Sequence, residues 1–428
     1  MMEIPQPALL KIIVVFSALL VMNRKLPLYV CLAIISVLMG LWMKMDILSI
    51  IKTMTIEAFS RPTLMLSVVI TLIVVFSGLL KRSGRLDSIV SSLRALSTRA
   101  GVSLVLAPAL IGLLPMPGGA VFSAPMIETA LGDFRVKPES KLAINYWFRH
   151  VPEFSWPLYP GFILSLSIFG LEAWRLTLFQ IPLSIGAIVA GLLFVLPKIP
   201  SAQEENGKSS PGAVMDFLRE VSPILLVLFL MFALQAGAEF FRLLSGVSVP
   251  LSQHLGMAIA LVAGITYVTL VGGLDSSDVK AAFLESGIIS IVLMVFAIMA
   301  FKGILEESHT ISQIRSELQA FHIPETFVIA LLPLIAGLVT GIAVGFVGSS
   351  FPLVATLAPS NENIMPYVVL AYGFGFIGMM LSPVHLCFLV TQEYFHTNAV
   401  DSYRQFWKAA VFLTLWVIVV FFIYRLAA

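Results

Sequence analysis

The sequence predicts an all-α membrane protein that crosses the bilayer several times and is built from an inverted repeat. Of its 428 residues, 59% are hydrophobic and only 12% are charged. A soluble globular domain contains roughly 45–50% apolar and about 25% charged residues. So few charges cannot cover a water-facing surface, which excludes a soluble enzyme, a nucleic-acid-binding protein and a disordered scaffold.

The charge, the cysteine content and the N-terminal segment predict which partners, cofactors and targeting signal the protein lacks. The formal charge of +2 indicates no polyanionic partner. Cys31 and Cys387 lie in apolar runs and indicate neither a metal site nor a redox motif, so we expect no metal and no other cofactor. Residues 1–7 carry Glu3 and no basic cluster, which favours an uncleaved first span over a signal peptide.

The apolar runs predict ten crossings, since a bilayer core of about 30 Å requires about 20 helical residues. Two of the runs, 142–171 and 365–394, carry proline and glycine at their centres and are predicted to be broken spans. The ten predicted spans are 7–22, 26–43, 63–80, 142–171, 176–196, 217–241, 254–273, 287–301, 365–394 and 407–424.

Two further apolar stretches, 102–130 and 325–357, are interrupted by glycine and proline. Each is too short for two full crossings. We therefore expect two re-entrant hairpins, each entering and leaving the membrane on the same side.

The two halves of the chain repeat one another. At offsets of 225 to 227 residues the unusual features coincide: Phe76, Gly78, Pro108, Gly112, Gly118, Ser123, Pro125, Tyr146 and Pro157 meet Phe301, Gly303, Pro333, Gly337, Gly345, Ser350, Pro352, Tyr372 and Pro383. Each half, 1–199 and 216–428, would contain five crossings and one hairpin. Because five is odd, the second half must be inverted, as is usual in secondary transporters.

Basic residues predict the orientation in the membrane. Sixteen of the 26 Lys and Arg residues fall on the side of the loop at Arg24 and Lys25, against eight on the other side. The positive-inside rule makes that side cytoplasmic. The polar linker 200–215 then faces the cytoplasm, and both termini lie outside the cell inner membrane.

The breaks in the apolar segments are the predicted binding site, since non-helical backbone at bilayer depth must be buried or line a cavity. In the first hairpin, two prolines end one helix and two glycines leave N–H groups uncovered at the start of the next. The second hairpin is expected to break at Thr340–Gly341 and again over 345–350. The candidate residues of the two tips are Pro117, Gly118, Gly119, Ser123, Gly345, Gly348, Ser349 and Ser350.

The broken spans follow the same pattern. Ser155 is predicted to be an N-cap near Pro157, and Ser382 to restart the second span after Gly373, Gly375 and Gly378 loosen it. Four helix N-termini would then converge, which favours an anionic ligand. Sodium sites would use the carbonyl ends of the same breaks, and the sequence permits those as well.

Ionisable residues inside the bilayer point to function. Arg149 is predicted to bind a substrate carboxylate, and His150 or Glu153 to carry a coupling proton. Alternatively, Arg149 and Glu153, four residues apart, only neutralise each other. His385 follows the second break and is either a ligand contact or a satisfied interior histidine.

Several missing motifs exclude other functions. All seven Asp residues lie in predicted loops, which disfavours an exchanger built on buried aspartates. No Gly-x-x-x-x-Gly-Lys-Ser/Thr motif appears, so this chain would not use ATP. The His-Glu-x-x-His motif is also absent, which weakens the hypothesis of a membrane metalloprotease. We expect no enzyme activity.

Two motifs carry a family resemblance: Leu114-Pro-Met-Pro-Gly-Gly-Ala120 with Ser123-Ala-Pro125, and Asn145-Tyr-Trp-Phe-Arg-His-Val-Pro-Glu153. They resemble an uncharacterised prokaryotic integral-membrane family known only as a domain of unknown function. That family is similar to the ion-transporter superfamily of gluconate, citrate and dicarboxylate permeases. The resemblance implies an elevator-type carrier and adds Asn145 to the substrate site. The Ser-Asn-Thr hairpin signature of sodium-coupled dicarboxylate carriers is not found here.

The sequence therefore predicts a secondary active transporter of a small organic anion, with H⁺ favoured over Na⁺ as the coupling ion. A cation/proton exchanger of the same fold, in which Glu153 or His150 titrates, is an alternative. Two further alternatives remain: a membrane subunit of a multi-component system, and an intramembrane enzyme. The expected partners are the anion, the lipid bilayer and, as an option, a second copy of the chain, but no nucleic acid.

Overall fold

A computed structural model shows that the chain is helical, as predicted. It describes residues 14–15, 17–19, 21–23, 25–96, 100–116, 118–132, 134–196, 212–246, 252–285, 287–308, 310–359 and 363–427. Within these residues every regular element is a helix. The predicted span 7–22 and the predicted linker 200–215 lie largely outside the described residues.

Nineteen α-helices are found in the described part of the chain. In order they are α1 Leu28–Trp42, α2 Ile47–Ala58, α3 Arg61–Arg82, α4 Arg85–Leu96, α5 Ala100–Gly112, α6 Ala120–Leu131, α7 Pro138–His150, α8 Pro160–Phe169, α9 Ala173–Ala190, α10 Ala213–Ser245, α11 Gln253–Val271, α12 Ser276–Phe283, α13 Ile288–Glu307, α14 Thr310–Ala320, α15 Glu325–Thr340, α16 Ala343–Leu357, α17 Met365–Met380, α18 Leu386–Tyr394 and α19 Ala399–Ala427. A 3₁₀ turn, Val151–Phe154, follows α7, and a π turn, Gly191–Val195, follows α9.

Six of the described helices are long and apolar enough to cross a membrane: α3, α9 with its π turn, α10, α11, α13 and α19. Each coincides with a span predicted from the sequence. The chain is therefore a multi-pass membrane protein. The total of ten crossings stays a prediction, because α1 and the helices of the broken spans are shorter.

The same order of elements occurs in both halves. From α3 to α9 and again from α13 to α19, a long helix is followed by a short one, two pairs of short helices and another long helix. Helix α5 packs against α6, and α15 packs against α16, at the positions of the two predicted hairpins. The inverted orientation of the two halves in the membrane stays a prediction.

Two short helices that the sequence reasoning did not predict, α2 and α12, occupy equivalent places before α3 and α13. Asp46 caps α2, and Asp275 begins α12 in a capping box. A Cβ added to Gly303 would meet the Glu57 side chain of α2, and one added to Gly78 would meet Glu285 after α12. The small glycines let these segments approach the long helices.

The second broken span differs from the prediction. Helix α17 runs unbroken through Gly373, Gly375 and Gly378, and the break follows at residues 381–385. Gly378 instead faces α15, where an added Cβ would meet backbone atoms of Leu334, and Gly375 faces the Phe346 ring of α16. Small residues allow helix backbones to approach closely in membranes, so these glycines serve packing.

Two predicted helix starts also need correction. Helix α8 begins at Pro160 after Tyr159, without a side-chain cap, so Ser155 is not its N-cap. Proline is favoured at the first helical position because the missing N–H is not needed there. The second hairpin breaks once, at Gly341 with φ +64°, whereas residues 345–350 lie inside α16.

The hairpins pack crosswise between the halves. Helix α6 of the first hairpin contacts α7 of its own half and α18 of the other. Helix α16 of the second hairpin contacts α17 of its own half and α8 of the other. This arrangement brings the breaks of both halves to one region of the molecule.

Candidate functional site

Arg149 lies at the end of α7 and is buried, with 2% of its surface exposed. Its Nη2 donates a hydrogen bond to the Met116 carbonyl at 3.0 Å, and Nη1 donates to Glu153 Oε1 at 3.3 Å. The Nε–H has no hydrogen-bond partner among the described residues. A buried donor of this kind is costly without an acceptor, which makes the Nε–H a candidate contact for a ligand oxygen.

The guanidinium group rests on the tip of the first hairpin. Gly119 precedes α6, and a Cβ added there would lie 2.5 Å from Arg149 Nη2. Gly118 has φ +69° and faces Leu386 at the start of α18. The positive end of α6 and the positive Arg149 are therefore adjacent, and an anion bound beside them would be attracted by both.

Two histidines join the breaks of the two halves. His150 Nε2 and His385 Nε2 lie 2.9 Å apart, and both side chains are buried. His150 Nδ1 contacts the Tyr146 carbonyl at 2.6 Å, and His385 Nδ1 contacts the Gly341 carbonyl at 2.5 Å. The first broken span, the second broken span and the second hairpin thus meet at this histidine pair.

Glu153 belongs to the same cluster. Its Oε1 lies 3.3 Å from Arg149 Nη1 and 3.9 Å from His150 Nε2. The Arg149–Glu153 pair is buried, so each charge relies on the other. Removing either partner would leave an uncompensated charge in an apolar region.

Hydrogen bonds brace the elements around the cluster. Asn145 Nδ2 donates to the Ala120 carbonyl at 2.9 Å, while Asn145 Oδ1 has no partner in the described part of the chain. The Tyr159 hydroxyl donates to the Gly112 carbonyl. The Tyr372 hydroxyl donates to the Glu153 carbonyl at 3.3 Å. The breaks are therefore held by both halves.

The serines of the predicted site bond mainly within their own elements. Three donate to carbonyls of their own helix: Ser123 to Ala120, Ser349 to Gly345 and Ser350 to Phe346. Ser155 pairs with Ser184 of α9 at 2.8 Å. Ser382 lies in the break of the second broken span, where its Oγ accepts from the Val384 N–H at 3.4 Å beside Gly341. It does not restart the helix, because α18 begins at Leu386.

The predicted glycines fall into two groups. Gly118 and Gly119 lie at the cluster, as described above. Gly348 faces Ile298 of α13, and Gly345 faces Thr340 of its own hairpin. Pro117 lies outside the described residues.

The structure places Cys387 beside the histidine pair, although its position in an apolar run predicted no metal site. The ligand atoms of His150, His385 and Cys387 all lie within 4.8 Å of one another, and all three residues are buried. The short spacing from His385 to Cys387 was the available signal. An isolated cysteine in an apolar run looks like any other core residue, so the signal was weak.

The fold is similar to that of a solved transporter. The chain matches the structure described as "Crystal structure of the Alcanivorax borkumensis YdaH transporter reveals an unusual topology", with a TM-score of 0.50 and 13% sequence identity. The match covers 87% of this chain and 86% of that one. No curated protein matches the sequence.

A family model also matches, over residues 7–424. Its description is "Protein of unknown function (DUF401)". The resemblance to a membrane family of unknown function is therefore confirmed, whereas the link to the ion-transporter superfamily stays a prediction. Since the model spans nearly the whole sequence, the chain belongs to the DUF401 family.

Proposed function

We propose that this protein is a secondary active transporter of a small organic anion. The observation that carries the proposal is the unpartnered Nε–H of the buried Arg149, beside the glycine tip of the first hairpin. Carboxylates are the common anions whose two oxygens match the planar donors of a guanidinium group. A carboxylate on the substrate would take the donor that the protein leaves free.

Electrostatics support an anion at this place. The start of α6 contributes a partial positive charge, and Arg149 contributes a full one. Glu153 offsets the guanidinium charge through Nη1 only. A proton on Glu153 would free the guanidinium charge to balance a bound carboxylate in this buried site.

The repeated order of elements supports a carrier over a rigid receptor. Secondary transporters commonly place the substrate at the interface of inverted repeats, between broken helices. Here the His150–His385 contact joins the broken spans of both halves. We therefore place the anion at this junction, with Arg149 as its main charged contact.

An elevator-type movement is the proposed mechanism. The hairpins and broken spans would move together, because α6 and α16 each pack on broken spans from both halves. The spans 7–43 and 217–273 would form the fixed scaffold, part of which could contact a second copy. The amphipathic helices α4 and α14 would connect scaffold and moving domain.

The coupling ion is proposed to be H⁺. The predicted coupling residues His150, Glu153 and His385 lie in one buried cluster. Protons are carried by such side chains in many membrane transporters. The sodium-coupled carrier signature is absent from the hairpins.

An uptake assay with purified full-length protein in proteoliposomes tests this function. Radiolabelled lactate, gluconate, succinate and citrate would be offered under an inward H⁺ gradient, then under an inward Na⁺ gradient. We expect saturable accumulation of at least one carboxylate, driven by the H⁺ gradient. Proton flux on addition of metal cations, with no carboxylate uptake, would instead support the cation/proton exchanger.

A further inference from the structure

The cluster contains a donor set that the anion contact at Arg149 does not use, and a metal bound there would take the place of the coupling proton on His150 and His385. His150, His385 and Cys387 place two imidazole nitrogens and one sulfur within 4.8 Å of one another. We propose that these three residues, together with Glu153, form a binding site for Zn²⁺. The proposal concerns a second ligand of the cluster and stands whether or not the protein transports an anion.

The two histidine rings are already oriented as metal ligands are. Each Nδ1 faces a backbone carbonyl, that of Tyr146 for His150 and that of Gly341 for His385. A carbonyl only accepts hydrogen bonds, so each Nδ1 carries the ring hydrogen. Histidines that bind metals commonly donate their second nitrogen to a carbonyl in this way, which fixes the ring and its tautomer.

This tautomer leaves two lone pairs facing each other. In neutral rings both Nε2 atoms are bare acceptors, and they lie 2.9 Å apart in a buried site. Two acceptors at that distance repel unless a proton or a metal ion lies between them. Zn²⁺ with Zn–N bonds of about 2.0–2.1 Å would hold the two nitrogens about 3.3 Å apart, a small displacement from this geometry.

The third donor selects the kind of metal. A cysteine sulfur together with two imidazoles is typical of Zn²⁺ and Cu⁺ sites, whereas Mg²⁺ and Ca²⁺ prefer oxygen ligands. Cys387 lies at the start of α18, two residues after His385, so one short segment supplies two ligands. His150 is supplied by the other half of the chain, which would make the metal a bridge between the halves.

Charge balance indicates Zn²⁺ and a fourth ligand. A buried site must be close to neutral. The Cys387 thiolate and the Glu153 carboxylate would together balance Zn²⁺, and Glu153 Oε1 lies 3.9 Å from His150 Nε2. The charge of Cu⁺ would be balanced by the Cys387 thiolate alone. A metal on Glu153 would also withdraw it from Arg149, so the metal and the anion would bind cooperatively.

A titration of metal-free protein tests the site directly. The purified full-length protein would be stripped with a chelator and titrated with Zn²⁺ against a chromophoric competitor. We expect one Zn²⁺ per chain, and His385→Gln or Cys387→Ser should weaken binding by more than about 100-fold, beyond the range of outer-shell changes. The matched controls are Cys31→Ala and His254→Gln, a buried thiol and a partly buried histidine elsewhere, which should bind as the native protein does.

Co²⁺ substitution identifies the sulfur without relying on stability. In the Cys31→Ala background Cys387 is the sole thiol of the chain. We expect a thiolate-to-Co²⁺ charge-transfer band and tetrahedral d–d bands, and the loss of the charge-transfer band in Cys31→Ala with Cys387→Ser. Stoichiometric binding without the band, or no binding at all, would overturn the proposal.

A last variant distinguishes Zn²⁺ from Cu⁺ as the metal bound at this site. Glu153→Gln removes the fourth ligand and should weaken Zn²⁺ by at least about tenfold. Zn²⁺ affinity unchanged in Glu153→Gln, with tighter binding of Cu⁺, would overturn the assignment of Zn²⁺. These readouts need no substrate, so failed carboxylate uptake with intact Zn²⁺ binding would count against the proposed function alone.

Discussion

At the residue scale, Arg149 and Glu153 pose the central question about this molecule. Their contact fits the plain reading of two charges, four residues apart, that neutralise each other. That reading does not account for the free Nε–H or for the glycine tip beneath the guanidinium group. An anion at Arg149 accounts for both.

A substitution at Gly119 tests whether carboxylate transport requires the tip of the first hairpin. Gly119→Val would place side-chain atoms where Arg149 Nη2 now lies, and would displace the guanidinium group. We expect carboxylate uptake to be lost while the protein elutes as a folded species in gel filtration. Gly237→Val is the control, since a Cβ at Gly237 meets no atom within 4 Å. Normal uptake by Gly119→Val would show that Arg149 is not held at the tip for binding.

The sequence identifies the ionisable residues of the cluster, but it does not show which residues each side chain contacts. Arg149, His150 and Glu153 stood out because charges are rare in apolar segments. The serines could not be sorted, because a hydroxyl inside a helix readily bonds to the carbonyl four residues earlier, as Ser349 and Ser350 do. Their neighbours in three dimensions, not their spacing, decide what they contact.

At the element scale, the glycines show how one residue type serves two purposes. Gly341 adopts a left-handed conformation and ends α15, as a break requires. Gly375 and Gly378 lie inside a continuous helix and allow α16 and α15, respectively, to pack against it. From sequence, both look like helix interruptions, because glycine is permissive in either setting.

This packing predicts a difference between two similar glycine substitutions. A Cβ at Gly337 would meet backbone atoms of α17, which cannot move away as a side chain can. Gly337→Ala should therefore destabilise the protein by about 1–3 kcal/mol, the usual range for overpacking. Thermal unfolding in detergent measures it as a lower midpoint.

Gly237→Ala is the matched control on α10, where nothing opposes the added methyl group. It should leave the midpoint unchanged or raise it slightly, because alanine has the higher helix propensity. A Gly337→Ala midpoint equal to that of Gly237→Ala would contradict the close packing of α15 and α17.

At the scale of the whole molecule, the apolar pattern predicted the helical class and the six long helices, because burial in lipid requires length and hydrophobicity. It could not predict the crosswise packing of α6 and α16 on the opposite half. That arrangement depends on contacts between residues more than 200 positions apart, such as Tyr146 with Met380. Nor did it reveal α2 and α12, which are too short to be recognised as spans.

The predicted orientation can be tested in the linker between the halves. Gly207 lies outside the described residues, and the excess of basic residues predicts that its linker lies in the cytoplasm. A Gly207→Cys variant that also carries Cys31→Ala should resist a membrane-impermeant maleimide in intact cells and react in inside-out vesicles. Labelling in intact cells would reverse the orientation of the whole chain.

The most direct test of anion binding at Arg149 compares the native protein with Arg149→Gln. The carboxylate with the highest uptake would be titrated against both proteins, with Arg85→Gln, a second buried arginine in an ion pair, as the control. The loss of a charge-assisted hydrogen bond should weaken binding by about 1.5–3 kcal/mol, or roughly 10- to 100-fold, in Arg149→Gln alone. Unchanged affinity in Arg149→Gln would show that Arg149 only neutralises Glu153, and would contradict the proposed site.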